Sequence, residues 1–120
     1  MKQTDNLAKV IYCCEKRSDV LINKLSMSKY NYYYDKMRVY AKKLFEEKRN
    51  MELLPYLNDE NLSVQFDIAC LLYNSYEDLC KNKLLDISEM TCQTGLPKHF
   101  IMLNVAADAN LKYGIPKDYP

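Results

Sequence analysis

Only two residues of this 120-residue chain are glycine, Gly95 and Gly114. Glycine supplies the positive-φ turns of tight hairpins and the close backbone approach of phosphate-binding loops. So few glycines speak against a turn-rich β-sandwich or barrel and against a glycine-rich nucleotide loop. No alternating run of β-branched residues is present to form strands. Apolar residues instead recur at helical spacing along nearly the whole chain. The length suits one domain with a single core and leaves no room for a separate cofactor domain. Hydrophobic residues make up 48% of the chain, enough to close that core, so disorder throughout is not expected.

Residues 6–25 give one helix or two short ones. Leu7, Val10, Ile11 and Cys14, then Val20, Leu21 and Leu25, are its apolar residues, and Ser18-Asp19 offers a cap for a restart. Residues 28–49 form the longest predicted helix. Tyr30, Tyr34, Met37, Ala41 and Leu44 step along one face by fours and threes. Tyr33 and Tyr40 flank that stripe, while Arg38, Lys42, Lys43, Lys48 and Arg49 lie toward water. Residues 51–57 predict a short helix containing or bent at Pro55. Asn61 or Asp59 caps the next helix, over 62–74, which is apolar nearly all round and so belongs inside.

Ser75 is the expected cap of a helix running to about 91. Glu77 and Asp78 lie in its first turn, and Leu79, Cys80, Leu84, Ile87 and Met90 or Thr91 face inward. Pro97 opens a last helix over 97–112, with Phe100, Ile101, Leu103, Val105, Ala107 and Leu111 as its apolar face. Gly114-Ile115-Pro116 ends it, the glycine taking a left-handed conformation. The fold class is all-α, with five or six helices and connections short enough for antiparallel hairpins. Residues 1–27 read as an N-terminal helical extension frayed at its start, 28–114 as the main helical domain, and 115–120 as an irregular tail.

Residues 1–50 carry twelve Lys/Arg against six Asp/Glu, and residues 51–120 carry five against ten. The balance reads either as ordinary solvated helix faces or as a dipolar surface that orients a charged partner. No secretion signal or membrane span is visible, so a cytoplasmic location is expected. Five cysteines cannot pair completely. Cys70, Cys80 and Cys92 read as small core hydrophobes, and adjacent Cys13 and Cys14 cannot readily bridge each other. With no Cys-x-x-Cys and only His99, a zinc site is not expected. A thiol–imidazole pair of Cys13 or Cys14 with His99 has no support in the local sequence. The carboxylates, Asp86 with Glu89 included, read as caps and solvated faces. No cofactor, metal or catalytic constellation is predicted.

The segment Leu53-Leu54-Pro55-Tyr56-Leu57-Asn58-Asp59, followed by Val64, Gln65, Ala69 and Leu72, resembles a HEAT repeat. The likeness lies in a leucine-rich helix end, an Asp in the turn that caps the second helix, and a buried second helix bearing Val, Ala and Leu. Gln65 departs from the usual Arg, so an Asp–Arg ladder between repeats is not implied. More broadly, residues 28–114 resemble a bacterial family of short HEAT-like proteins of unassigned function. The shared features include Asn31 to Met37 and the closing Tyr113-Gly114. The resemblance implies helical hairpins stacked as a short right-handed solenoid. Some such proteins look like partners of toxins, which implies an immunity role.

Eleven tyrosines are the compositional surprise, and five of them crowd residues 30–40. Tyr30 and Tyr34 suit the core rim, whereas Tyr32 should point outward, near Arg38, and suit a protein interface. The leading expectation is a non-enzymatic protein-binding module, most concretely an immunity- or antitoxin-like protein. Candidate partner-binding residues are Tyr32, Arg38, Glu60, Asp67, Glu77 and Asp78, with the acids facing a basic toxin surface. The alternative is a nucleic-acid-contacting protein placing Arg38, Lys42 and Lys43 on phosphates. In that region Glu46 and Glu47 are expected to pair with Lys42 and Lys43. A second copy of the chain could also cover the flank of an end helix as a homodimer.

Overall fold

The computed structural model describes residues 5–23 and 26–120. Leu25 and the first four residues, including the start expected to fray, lie outside the described residues. Five α-helices and one 3-10 segment follow in order, and among the described residues there is no strand. The helices are α1 (Asn6–Ile22), α2 (Met27–Glu46), α3 (Leu62–Leu72), α4 (Glu77–Thr91) and α5 (His99–Tyr113), with the 3-10 segment Asn50–Asn58 between α2 and α3. No helix among the described residues is long and apolar enough to cross a membrane.

The first helix is continuous from Asn6 to Ile22, with no restart at Ser18. Ser18 is instead buried, its hydroxyl accepting from Asn61 Nδ2 at 2.6 Å. Cross-contacts fix α1 and α2 as an antiparallel pair: Cys14 Sγ lies 3.4 Å from Met37 Sδ, Tyr12 meets Tyr33 edge-on, and Asn6 donates to Glu47. The predicted stripe of α2 holds, with Met37, Ala41 and Leu44 buried and Tyr30 and Tyr34 partly so. α2 closes without glycine. Lys48 takes a positive φ of 58°, while the N–H groups of Lys48 and Arg49 reach back to Phe45 and Leu44. Arg49 lies toward water as expected, its side chain 33% exposed. Its guanidinium forks onto Glu52 and Asp5, tying the 3-10 segment to the start of α1.

The segment around Pro55 is a 3-10 run and not an α-helix. Proline lacks the N–H an α-helix interior needs, and short 3-10 runs serve as connectors. Asn61 supplies the cap of α3, accepting from the N–H groups of Ser63 and Val64. Asp59 accepts from the Asn61 N–H one step upstream, so it supports the cap without being it. α3 is the hub of the structure: it packs against α1, the 3-10 segment, α4 and α5. Val64, Ile68, Ala69, Leu71 and Leu72 are buried along it, as an all-round apolar helix requires.

α4 and α5 form the second antiparallel pair, joined by Ser88–Asp108 and by Asn104 Nδ2 donating to the Ser88 carbonyl at 2.9 Å. Ser75 does not cap α4. It accepts from Asn50, and the Tyr76 carbonyl opens the helix. Inward-facing Cys80, Leu84, Ile87 and Thr91 match expectation, whereas Leu79 and Met90 face out. Cys70 and Cys80 are core residues, but Cys92 is exposed. α5 buries only Leu103 and Ala107, and leaves Ile101 and Val105, expected inside, 61% and 62% exposed. Gly114 ends it at φ 77°, a conformation open mainly to glycine. The tail after Gly114 folds back onto the helices, where Asn74 Nδ2 holds the carbonyls of Pro116 and Tyr119 at 2.7 and 3.1 Å.

Candidate protein-binding groove

The seam between α1 and α2 opens outward as a groove of about 430 Å³, lined by Tyr12, Tyr32, Tyr33, Tyr40, Lys9 and Lys36 among others. Helical spacing builds it. On α2, residues 32, 36 and 40 step by four along one side, and on α1 residues 9, 12 and 13 face them. The Tyr12 and Tyr33 rings meet edge-on at 6.4 Å between centroids, and Tyr32 and Tyr33 at 5.2 Å. This is the preferred geometry for aromatic pairs. Tyr12 and Tyr32 remain 53% and 54% exposed.

Lysines sit over the ring faces. Lys9 and Lys43 lie 5.0 and 5.8 Å from the Tyr40 centroid, Lys36 5.7 Å from Tyr32 and Lys16 5.5 Å from Tyr12. Such contacts hold flexible ammonium groups near aromatic surface while they stay hydrated. The groove therefore offers rigid apolar faces, phenolic hydroxyls and positive charge in one place.

Of the residues expected to bind a partner, only Tyr32 lines this groove. Arg38 turns the other way: its guanidinium lies 5.7 Å from the Tyr34 ring and 5.1 Å from Tyr119, and it donates to the Pro120 carbonyl at 3.4 Å. Its loss weakens the basic stretch expected to grip phosphates. Lys42 and Lys43 are exposed, but among the described residues no ion pair joins them to Glu46 or Glu47, and Glu47 instead meets Arg49 at 3.3 Å. Asp67 is not on the surface at all. It is 2% exposed and paired with Arg17, itself 6% exposed, because α3 is buried on every side. Glu60 precedes α3 while Glu77 and Asp78 follow it, so a helix about 16 Å long separates them. Glu77 pairs with Lys81 at 2.8 Å. The acids thus form no single patch.

Lys9, Tyr12 and Lys16 were not singled out from the sequence as groove residues. The signal available was the recurrence of Tyr and Lys three or four residues apart on one helix: Lys9/Tyr12, Tyr12/Lys16, Tyr32/Lys36 and Tyr40/Lys43.

Burial disfavours the reactive form of the core thiols. Burial pushes the Cys13 and Cys14 thiols up, Cys14 well above its ordinary value, and raises Cys80 to about 11. The thiolate is the reactive form. His99 sits at the start of α5 with its ring 4.6 Å from Phe100, while Cys14 meets Met37 within the α1–α2 pair. Iodoacetamide at neutral pH should alkylate Cys92 alone in the folded protein and all five cysteines in denaturant, as read by intact mass. Fast labelling of Cys13 or Cys14 would reopen thiol chemistry. Among the described residues no cluster of three His, Cys, Asp or Glu side chains could hold a metal ion. No protein-family model, no curated protein and no solved structure matches this chain.

Proposed function

We propose that this chain is a non-enzymatic protein-binding module whose partner lies across the tyrosine–lysine groove of α1 and α2. One observation carries the reading: Tyr12 and Tyr32 hold about half their surface open beside partly buried Tyr33 and Tyr40, ringed by lysines. Tyrosine supplies large contact area at low entropic cost and is enriched in interface cores. The lysines favour an acidic segment on the partner and would speed encounter more than they tighten binding. The groove thus replaces the acidic residues as the binding face.

The most concrete version is an immunity- or antitoxin-like protein acting in the cytoplasm, which blocks a toxin by covering its active surface. Its support is the HEAT-like pattern of Asp59, Val64, Ala69 and Leu72. In that reading the 3-10 segment and α3 form the one repeat, and the flanking helix pairs stack on it as a short right-handed solenoid.

The test compares wild type with the Tyr12→Ala/Tyr32→Ala double variant. Both tagged forms are purified from the native host after nuclease treatment, and the co-eluting proteins are identified by mass spectrometry. A stoichiometric partner held by wild type and lost by a folded double variant is the expected outcome. Equal recovery by both forms would remove the groove from the interface. Bases can also stack on tyrosines flanked by lysines, which keeps single-stranded nucleic acid as the second reading. Anisotropy of a labelled oligonucleotide, with a steep loss of binding as salt rises, would favour it.

A further inference from the structure

Lysine recurs every seven residues along both lips of the tyrosine groove. Lys29, Lys36 and Lys43 stand on α2, and Lys9 and Lys16 on α1. Seven residues are close to two helical turns, so each row keeps to one flank of its helix and repeats about every 10.5 Å. The rows face a common seam. Lys9 reaches across from α1 to the Tyr40 ring of α2, Lys43 lies over the same ring, and Lys36 and Lys16 lie over Tyr32 and Tyr12. Lys29 extends the α2 row beyond the cavity. Lys29, Lys36 and Lys43 are exposed, and Lys9 and Lys16 half-buried. Among the described residues no carboxylate lies within ion-pairing distance of any of the five. Residues 6–46 as a whole carry nine Lys/Arg against four Asp/Glu. Acids stand at the ends of the two rows. Asp5 and Glu47 are held by Arg49 at one end, and Asp19 follows Lys16 at the other.

An occupant that answers these charges must carry anions in step with them. A helix lying nearly parallel to α1 and α2 does so without distortion, because its own residues seven apart are also about 10.5 Å apart. An extended strand repeats same-face side chains about every 6.6 Å, and a nucleic-acid strand carries a phosphate on every nucleotide. Neither keeps that step. Between the lysine rows the floor is tyrosine, Tyr12, Tyr32 and Tyr33, which suits the apolar stripe of an amphipathic helix. An apolar seam flanked on both sides by charges at heptad spacing is the arrangement by which coiled coils select partners.

On the protein-binding reading of this groove, we propose that the partner contributes an acidic amphipathic helix that lies along the α1–α2 seam as a third helix. Its apolar stripe rests on the tyrosines, and its carboxylates, seven residues apart on each flank, meet Lys9 and Lys16 on one lip and Lys29, Lys36 and Lys43 on the other. Two end-capped, dye-labelled peptides of three repeats each test it by fluorescence anisotropy at low salt. The first repeats Leu-Ala-Gln-Leu-Glu-Gln-Glu, with glutamates on both sides of the leucine stripe. The second repeats Leu-Glu-Gln-Leu-Ala-Glu-Gln, the same composition with the glutamates on the far face. The first should bind about tenfold or more tighter than the second, and than an oligothymidylate carrying six phosphates to match the six glutamates. Lys36→Glu/Lys43→Glu, at two exposed positions, should weaken the first peptide by about tenfold or more. Equal affinity for the two peptides, no binding of the first, tighter binding of the oligothymidylate, or binding indifferent to the lysine variant would overturn the proposal. The protein-binding reading fails separately, when wild type and Tyr12→Ala/Tyr32→Ala recover the same proteins from the host.

Discussion

Asp67→Ala should destabilise the protein by roughly 3–5 kcal/mol, because it strands the Arg17 guanidinium in the interior without its counter-charge. The pair joins the middle of α3 to α1, and both side chains are withdrawn from water. Burial pushes the Asp67 carboxyl above the usual carboxylate range, and the Arg17 guanidinium pulls against that rise. The pair therefore contributes little net stability against an apolar replacement, yet losing one member is costly. Arg17 has a second support, since its guanidinium lies 4.2 and 4.9 Å from the Tyr30 and Tyr34 rings. Those contacts do not replace a carboxylate. The double variant Arg17→Met/Asp67→Leu should recover most of the loss. Urea midpoints at constant m-value would show both effects. A single-variant loss below about 1 kcal/mol would mean that water or relaxation reaches the buried charge.

Ile68→Ala should cost about 2–5 kcal/mol, the range for truncating a buried aliphatic side chain. Ile68 is fully buried in α3, which touches both helix pairs and the 3-10 segment. The space it leaves is walled by several elements, so collapse around it is limited and the cavity cost persists. Leu85→Ala is the matched control, because Leu85 is 49% exposed on α4. That change should stay within about 0.5 kcal/mol. Equal losses at the two positions would contradict the hub role of α3.

The helical class and most helix positions were legible because period alone decides them. The stripe from Tyr30 to Leu44 on α2 and the all-apolar run of α3 are the clearest cases. Direction was less legible where a helix is apolar on more than one side. Ile101 and Val105 read as inward, but α5 packs mainly on α4 and only lightly on α3, so its outer face keeps them exposed. The misreading of Asp67 has a different cause. A carboxylate inside an apolar run gives no hint of a partner fifty residues away, and only the packing of α1 on α3 supplies Arg17. Arg38 likewise read as solvent-facing because the tail that covers it has no periodic pattern. Of the candidate groove, the outward Tyr32 was legible from its own helix, while Tyr12 joined it only through the antiparallel register of α1 against α2.

Hydrogen exchange on the chain alone and in complex with its captured partner tests the central claim most directly, since it reports which face is covered. The account predicts added protection over residues 8–13 and 32–40, with side-chain oxidation of Tyr12 and Tyr32 suppressed in parallel. Protection confined to the outer face of α5, or to the segments around Glu60 and Glu77, with residues 8–13 and 32–40 unchanged, would contradict it.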